Sequence, residues 1–428
     1  MHRVKWVKAG MILIVLFCFS PSSLRWAVAA DEEAFHVPAE FEPHDFVWIV
    51  WTDEYYRAGE PTDRVVLRII KALAPFVRIK LVVESRTQWR KVKRILGKHG
   101  ISGKRVAYLI VPRNDRWIRD SGPIFLKGDR GRLKIADFNY NAYGELPTSD
   151  TYSKQVERLD RAIARQLRLP TVKTDLVSEG GGREFNGKGT LIVVESVELQ
   201  RNPHKSKEEI ERELLRVLGQ KKVIWLKNGP AEDDKSSRGS LPGKIFTTTL
   251  TGGHIDEFCR FADANTILLA EASAEERDAS PISRISYERL EESYRILSAA
   301  TDQDGKPFTI LRVPAADHLL ARYKAAQHDV AYFRGIKAGD TIRYLLAASY
   351  LNFLVSNGVV LMPAYWKAGR PESIRAKDEK ARRALQEAFP GRKIVPLDVE
   401  DVNHGGGGIH CITQQQPAMD GRPRRHGQ

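Results

Sequence analysis

The sequence predicts an α/β protein, and three observations lead to this fold class. Short runs rich in Val, Ile, Leu and aromatic residues, bounded by Gly, Pro, Asn or charged residues, are typical of strands. Longer segments between them carry apolar residues at steps of three and four, the spacing of an amphipathic helix. The hydrophobic fraction of 42% and the eight tryptophans indicate a sizeable core, so the chain is globular and not disordered.

Strands and helices alternate along the chain in units of two or three strands and one helix. This alternation indicates α/β modules, and periodicity leaves the strand order open. The predicted strands are Phe46–Trp51, Val77–Val83, Val106–Val111, Ile135–Tyr140, Thr190–Val194, Val223–Leu226, Thr266–Ala270, Phe308–Val313, Gly358–Pro363 and Ile394–Leu397. The predicted helices are Pro61–Ala74, Thr87–His99, Thr151–Leu167, Ser206–Leu218, Ser283–Ala300 and Asp378–Phe389.

Three local patterns add detail to these elements. Ser206 and Glu209 stand at the spacing of a capping box, which predicts a helix start. The segment Ala231–Thr251 is an irregular insertion, and its charged stretch Asp233–Gly239 is expected to be exposed. The basic tail after Pro417 is expected to be disordered.

The first thirty residues have the composition of a secretory signal peptide. Arg3, Lys5 and Lys8 precede an apolar run over 11–19, and alanines with the A-x-A spacing of a cleavage site end at Ala30. A membrane anchor is the alternative, but the apolar run is much shorter than the ~20 residues of a membrane span. We expect cleavage near Ala30 and export, without a membrane anchor, to the periplasm or beyond.

The distribution of charge bears on whether the protein binds nucleic acid. The net charge of +14 falls to +10 without residues 1–30, which carry four basic residues and no acidic ones. Lys and Arg are mixed with Asp and Glu along the chain, so the sequence does not predict nucleic-acid binding.

Cleavage would leave two cysteines, Cys259 and Cys411. A disulfide between them and a functional thiol are both open.

The stretch from His404 to Cys411 is the strongest candidate for chemistry. It contains four consecutive glycines, 405–408, whose missing side chains and access to positive φ let the backbone approach a flat ligand closely. A cysteine after such a loop is well placed to act as a nucleophile. A buried structural cysteine and a zinc site with His404 and His410 are the alternatives. The adjacency of His410 and Cys411 is unlike the spaced pairs of structural zinc sites.

Four further stretches carry polar residues at positions of interest. Asp120 lies in a segment after a predicted strand, and Glu179 precedes a glycine turn. His254 and Asp256 stand two apart, which on a strand would place both side chains on one face. Asn352 lies in the stretch 347–353, which leads into the strand predicted at Gly358. Each pattern alone is weak, since an Asp after a strand is usually a turn former. The GxxxxGK match at 182–188 is rejected as a phosphate loop because Gly189 follows.

Together these groups suggest hydrolysis of a guanidinium. Carboxylates bind the planar cation through paired hydrogen bonds. A thiolate attacks the central carbon, and a histidine protonates the departing ammonia and then activates water.

The motifs resemble the agmatine deiminase and bacterial peptidylarginine deiminase family of the guanidine-modifying pentein superfamily. The resemblance covers essentially all of the mature chain, and its last segment is highly specific. The segments that carry it are Pro38–His44, Trp117–Asp120, Glu179–Gly181, Arg201–His204, Gly253–Asp256, Ala348–Phe353 and Gly407–Pro417.

The resemblance implies a fold, a domain and a set of roles. The fold would be a five-bladed α/β propeller of ββαβ modules over residues 31–417. Cys411 would be the nucleophile, His254 the acid/base, and Asp120 and Asp256 the groups that hold the guanidinium. Glu179 would belong to the same polar cluster, and Trp117 and Asn352 would line the pocket. The resemblance implies a small guanidinium substrate and no metal or organic cofactor, and it leaves a homo-oligomer open.

The departures from the family pattern concern the substrate. Gly408 stands where agmatine deiminases usually have Asn, and the 182–184 stretch and the insertion before His254 also differ. Peptidylarginine deiminases that act on C-terminal arginine carry paired arginines where this chain has Ala142 and Gly144. We therefore expect agmatine as substrate. An exported peptidylarginine deiminase is the alternative. A non-catalytic binding module would have no need for the thiol, the histidine and both aspartates together.

Overall fold

Six β-sheets form the framework of this computed structural model, which describes residues 33–52, 61–112 and 115–419. Within these residues the strands are β1 Phe35–His36, β2 His44–Val50, β3 Arg78–Val83, β4 Val106–Ile110, β5 Ile124–Gly128, β6 Leu133–Asn139, β7 Thr171–Val177, β8 Arg183–Phe185, β9 Thr190–Val194, β10 Lys222–Leu226, β11 Phe246–Thr247, β12 Cys259–Phe261, β13 Thr266–Glu271, β14 Thr309–Pro314, β15 Leu320–Lys324, β16 Thr341–Leu345, β17 Leu354–Ser356, β18 Val359–Pro363, β19 Lys393–Leu397 and β20 Thr413–Pro417. The helices are α1 Asp63–Leu73, α2 Arg86–Lys98, α3 Ile118–Ser121, α4 Thr151–Val156, α5 Arg158–Leu167, α6 Glu195–Arg201, α7 Lys207–Leu218, α8 Ala274–Arg277, α9 Pro281–Ala299, α10 Glu372–Ala388 and α11 Glu400–Asn403.

Five of these sheets repeat one pattern. In each, a first strand pairs antiparallel with a second strand, and the second pairs parallel with a third that follows one or two helices. A parallel partner requires such a crossover connection, which explains the alternation of strands and helices in the sequence. The five sets of first, second and third strands are β20-β2-β3, β5-β6-β7, β8-β9-β10, β12-β13-β14 and β17-β18-β19.

The helices bury one face against these sheets. Helix α1 shows the pattern, because its buried residues recur at steps of three and four and pack with the strand residues Ile79 and Leu81 in one apolar cluster. Its buried side chains are Val65, Val66, Ile69, Ile70 and Leu73. Among the described residues, no helix is long and apolar enough to cross a membrane. From Ala34 onward the described residues belong to a single compact unit.

The sequence located most of the long elements correctly. All ten predicted strands are present with ends shifted by at most two residues, and Thr190–Val194 has the predicted bounds. The helix predicted over Thr151–Leu167 is present as two helices that meet at Glu157. The capping box is confirmed, since Ser206 Oγ accepts from Glu209 N at 3.2 Å and Ser206 N donates to Glu209 Oε2 at 2.7 Å.

The prediction of an exposed insertion over Asp233–Gly239 is wrong. The segment is irregular as expected, but Asp233, Lys235 and Ser236 are buried. Ser236 Oγ donates to the carbonyl of Thr247 at 2.7 Å and accepts from its N–H at 2.8 Å, which closes the segment on itself. The burial of Lys235 is possible because its Nζ donates to the Tyr143 carbonyl and to Glu145. The predicted leader over 1–30 and the tail beyond Met419 lie outside the described residues.

Candidate active site

Five polar residues from five different sheets meet at one place. Each stands two to four residues before the first strand of its sheet, so the repeated module presents one short pre-strand segment per sheet to a common site. The five are Asp120 before β5, Glu179 before β8, Asp256 before β12, Asn352 before β17 and Cys411 before β20. Residues distant in sequence are therefore brought together by topology alone.

The thiol of Cys411 is enclosed by tight glycine contacts. The residue is 6% exposed, and Asn352 Nδ2 donates to its Sγ at 3.1 Å. A Cβ on Gly407 would lie 2.9 Å from this Sγ and 2.7 Å from the Trp117 ring, so no larger residue fits without a shift. Of the four glycines only Gly406 has a positive φ, at 100°. The glycine run thus serves close packing more than unusual backbone angles.

Carboxylates surround the thiol. Glu257 Oε1 lies 3.7 Å from Cys411 Sγ, and Asp256 Oδ2 lies 4.0 Å from it. Burial, together with the charges of Asp256, Glu257 and Asp120, raises the pKa of Cys411 well above its ordinary value. Burial and the neighbouring acids, Asp233 among them, likewise raise the pKa of Glu257. The site is electrostatically suited to a cation.

Asp120 and Asp256 are both positioned by neutral or cationic partners. Asp120 accepts from Tyr143 Oη at 3.0 Å and from Gly181 N at 2.9 Å. Asp256 Oδ2 lies 2.6 Å from His410 Nδ1, and its Oδ1 is buried without a hydrogen-bond partner in the described part of the chain. A buried carboxylate oxygen without a partner is costly unless a ligand supplies the missing donor.

His254 lies between two of the acids. Its Nε2 is 3.2 Å from Glu179 Oε2, and its Nδ1 is 3.6 Å from Asp120 Oδ1. Burial lowers the pKa of His254, but Asp120, Glu179 and Asp256 outweigh burial, so its pKa is raised above the ordinary value. Among the described residues, its Nδ1 has no hydrogen-bond partner. The acids therefore favour the protonated imidazole, whose Nδ1 lies 3.6 Å from Asp120 Oδ1.

Two buried ion-pair networks support these residues. Glu179 Oε1 accepts from Arg201 Nε at 2.7 Å, and Arg201 lowers the pKa of Glu179 against the effect of burial. On the other side, His410 Nε2 lies 2.6 Å from Glu40 Oε2. Glu40 also pairs with two arginines at 3.2 Å and 3.0 Å, namely Arg119 and Arg260. These networks fix the side chains that face the thiol.

Several sequence interpretations of this region need correction. His254 and Asp256 do not lie on a strand, because Ile255–Glu257 is a 3-10 turn that precedes β12. Asp120 lies in the helical turn Ile118–Ser121 and not directly at the end of a strand. Their side chains nevertheless reach the same cluster.

The two cysteine alternatives are also settled. Cys259 and Cys411 are both free, so the disulfide alternative is wrong. His404 Nδ1 lies 2.7 Å from Tyr344 Oη, whereas His410 binds carboxylates, which removes the histidine set of the zinc alternative. Asp256, Glu257 and Cys411 do offer anionic atoms within 4.8 Å of one another, a spacing compatible with a metal ion. An organic cation satisfies the same charges.

All seven residues selected from the sequence lie in or beside this cluster, but sequence reasoning missed others. Glu257, next to Asp256, contacts the thiol and Asn352 directly. Tyr143 donates to Asp120 from the loop that contains Ala142 and Gly144, which was singled out only because it lacks paired arginines. Glu257 could have been found because it directly follows the His-x-Asp motif. Nothing in the sequence indicated Tyr143.

Known proteins are similar to this chain in sequence and in fold. The chain matches the Porphyromonas-type peptidyl-arginine deiminase family over residues 36–417. An agmatine deiminase of Pseudomonas aeruginosa is 32% identical over 396 residues, which cover 90% of this chain and 96% of that protein. An agmatine deiminase of Medicago truncatula is 32% identical over 401 residues, with 90% and 97% coverage. The structure of the agmatine deiminase of Enterococcus faecalis superposes with a TM-score of 0.71 at 27% identity, covering 90% of this chain and 96% of that one.

Proposed function

Because this chain belongs to the Porphyromonas-type peptidyl-arginine deiminase family, we propose that it hydrolyses agmatine to N-carbamoylputrescine and ammonia. The chain is an enzyme, a hydrolase that acts on C–N bonds of linear amidines. The observation that carries the substrate assignment is the acidic pocket around Cys411, where Asp256 and Glu257 lie 4.0 Å and 3.7 Å from its Sγ. A cationic, carboxylate-free guanidine fits such a pocket.

Asp120 and Asp256 are the groups that we assign to the guanidinium. Asp256 Oδ1 has no partner in the described part of the chain, so it can accept one N–H of the planar cation. Asp120 keeps its orientation through Tyr143 and Gly181 and has acceptor capacity left on each oxygen. Two carboxylates on one guanidinium form charge-assisted hydrogen bonds, which are the strongest kind. The half-buried Trp117, packed against Gly407, and Asn352 complete the pocket.

In the proposed covalent step, Cys411 is the nucleophile and His254 acts first as acid and then as base. The Cys411 thiolate attacks the guanidinium carbon and gives a neutral tetrahedral adduct. Protonated His254 donates to one amino group, which leaves as ammonia, and a thiouronium cation remains on Cys411. Water then attacks this carbon while the neutral imidazole takes one of its protons. The tetrahedral adduct expels the thiolate and loses its hydroxyl proton to solvent, where ammonia takes it up as ammonium, and the neutral ureido product is released. The raised pKa of His254 supports this order, because the residue begins the cycle protonated.

The buried cations near the pocket support a substrate without a carboxylate. Lys235 is 4% exposed, and its Nζ donates to the Tyr143 carbonyl and to the side chains of Glu145 and Gln200. Arg201 is committed to Glu179, to Gln200 and to the backbone carbonyl of Thr251. The Nζ of Lys235 has three protein acceptors, and each guanidinium nitrogen of Arg201 already donates to one, so a carboxylate that enters beside Ala142 and Gly144 would have to compete with them. Desolvation of such a carboxylate would be uncompensated.

One assay tests the proposal directly. The purified chain is incubated with agmatine, and ammonia and the ureido product are measured together. We expect both in equal amounts. Ureido product from arginyl peptides alone would assign the chain to the peptidylarginine alternative. Binding of guanidines without ammonia release would indicate the non-catalytic module.

The five repeated sheets support a finer proposal for the fold. We infer that they are the blades of a five-bladed α/β propeller over residues 31–417, with the site on its axis. The support is that each sheet contributes one pre-strand residue to a single cluster. In a crystal structure the five first strands should be related by successive rotations of about one fifth of a turn.

The N-terminal sequence supports export of the enzyme. We propose cleavage near Ala30 and action on an extracytoplasmic guanidine. Sequencing the N-terminus of the protein purified from its native cells, after fractionation, tests this. A protein that begins at Asp31 in the periplasm or medium is expected, and an uncleaved cytoplasmic protein would contradict export.

A further inference from the structure

Glu257 has no role in the cycle described above, although it lies beside the nucleophile. Its carboxyl group is buried and lies directly against the nucleophile, with Oε1 3.7 Å from Cys411 Sγ. The Asn352 amide donates both to this oxygen, at 2.8 Å, and to the sulfur, at 3.1 Å. One neutral amide therefore holds the carboxyl and the thiol at hydrogen-bonding distance.

The thiol must lose a proton before it can attack, because the thiolate is the nucleophile. Asp256 Oδ2 is farther from the sulfur, at 4.0 Å, and is occupied by His410. Both ring nitrogens of His254 face acids, Nδ1 toward Asp120 and Nε2 toward Glu179, and these acids raise its pKa, which favours the protonated form. Glu257 Oε1 is thus the nearest available acceptor for the proton on Cys411.

We propose that Glu257 is a further catalytic residue, which accepts the proton of the Cys411 thiol when the guanidinium enters; this rests on the proposed function. The S–H bond breaks, its electron pair stays on sulfur, and the proton moves to Glu257 Oε1. The thiolate then forms the S–C bond. When the thiolate leaves the ureido product at the end of the cycle, Glu257 returns the proton, so acid and thiol are restored without an external reagent.

The surroundings raise the pKa of both Glu257 and Cys411. Burial and the acids Asp233, Asp256 and Asp120 raise the pKa of Glu257, so it is a stronger base than an ordinary carboxylate. The base form appears only as pH rises through that raised pKa. Reactions that need this transfer therefore weaken as pH falls through it. The charged neighbours that act on Glu257 and Cys411 are these acids, and the cation His254 lies 3.6 Å from Asp120 Oδ1.

Alkylation of Cys411 by iodoacetamide distinguishes proton transfer to Glu257 from a purely electrostatic effect of its charge. Iodoacetamide is uncharged, so the Glu257 charge does not attract or repel the reagent itself. Rates are read on the Cys411 peptide by mass spectrometry of the intact full-length chain, with Cys259 as an internal control. With proton transfer, Glu257→Gln slows alkylation at pH 7 by at least ~10-fold and lowers kcat/KM for agmatine by ~100-fold or more. If Glu257 acted only as a charge, its removal would lower the thiol pKa and speed alkylation. Unchanged or faster alkylation would therefore overturn the proposal.

Two further variants complete the test. Glu198→Gln changes another fully buried acid, which contacts Ser178 and not the thiol, and should leave the alkylation rate unchanged. Glu257→Asp retains a carboxylate drawn back from the sulfur, and its alkylation rate should fall between those of the wild type and the Gln variant. If Glu257→Gln does not fold, a wild-type rate in Glu257→Asp overturns the proposal and a reduced rate supports it. Alkylation needs no substrate, so an enzyme that released no ammonia from agmatine would refute the proposed function without affecting this readout.

Discussion

Glu179 Oε2 lies 3.2 Å from His254 Nε2, and this contact joins the acid/base group of the site to a buried ion pair with Arg201. Glu179 is one of three acids that raise the pKa of His254 against the effect of burial. The proposed cycle needs His254 protonated, so its proton-donating form is lost as pH rises through the raised pKa. The kcat profile should therefore fall on its alkaline side.

Glu179→Gln should move this alkaline limb to lower pH. The substitution removes one charge within hydrogen-bonding distance of the imidazole, which corresponds to roughly 1 pH unit or more. The measurement is kcat for agmatine between pH 6 and 10, run beside the buried control Glu198→Gln, whose limb should stay in place. An alkaline limb that Glu179→Gln leaves unmoved would remove His254 from the role of acid.

Asp120→Asn should weaken agmatine turnover through loss of one half of the guanidinium clamp. Cutting one side of a buried charge pair costs ~2–4 kcal/mol, or roughly 30- to 1000-fold in kcat/KM. Asp256→Asn should cost at least as much, because Asp256 also holds His410. Steady-state kinetics with the exposed-site control Asp278→Asn measure this. Equal trapping of the covalent adduct in Asp120→Asn and wild type would contradict the clamp.

Agmatine should exceed both free arginine and a dipeptide ending in arginine by at least ~10-fold in kcat/KM, about the value of one missing ion pair. The reason is that Lys235 and Arg201 are already committed to protein acceptors. Side-by-side kinetics on the three substrates decide the matter. A preference for the dipeptide would transfer the assignment to peptidyl arginine and leave the deiminase chemistry intact.

Removal of metal ions should leave the activity unchanged. Asp256, Glu257 and Cys411 lie close enough to bind a metal ion, but the proposed cycle needs their charges for the guanidinium and the thiol proton. Ammonia release is measured after dialysis against EDTA and after readdition of zinc or magnesium. Lost activity that returns with the metal would mean that the acids form a metal site.

The sequence predicted the long elements and the principal site residues because their signals are strong. Thr190–Val194 is a continuous apolar run bounded by charged residues, and its strand has the predicted limits. Cys411 and His254 stand in motifs that are weak alone and become specific in combination. What periodicity could not supply was the way five sheets bring these residues together, because pairing depends on tertiary contacts.

Two of the strands that were not predicted, β8 and β12, share a physical reason. Both are three residues long and contain charged side chains, so they lack the apolar run that identifies a strand. Arg260 and Glu184 pair across these strands at 3.1 Å, which makes their burial possible. The burial of Lys235 was not predictable for the same reason, because its acceptors lie up to ninety-two residues away in the chain. Buried charges are visible only once their partners are known.

The most direct test of the central claim is to trap the intermediate on Cys411. The enzyme is mixed with agmatine, quenched with acid within the first turnovers, digested and mapped by mass spectrometry, beside Cys411→Ser and Cys259→Ala. We predict a thiouronium adduct on the Cys411 peptide in the wild type and in Cys259→Ala. Cys411→Ser should give a folded protein with no adduct and turnover lower by several orders of magnitude, because a serine hydroxyl offers no comparably accessible anion. Near-normal ammonia release from Cys411→Ser, or an adduct on any other residue, would contradict the account.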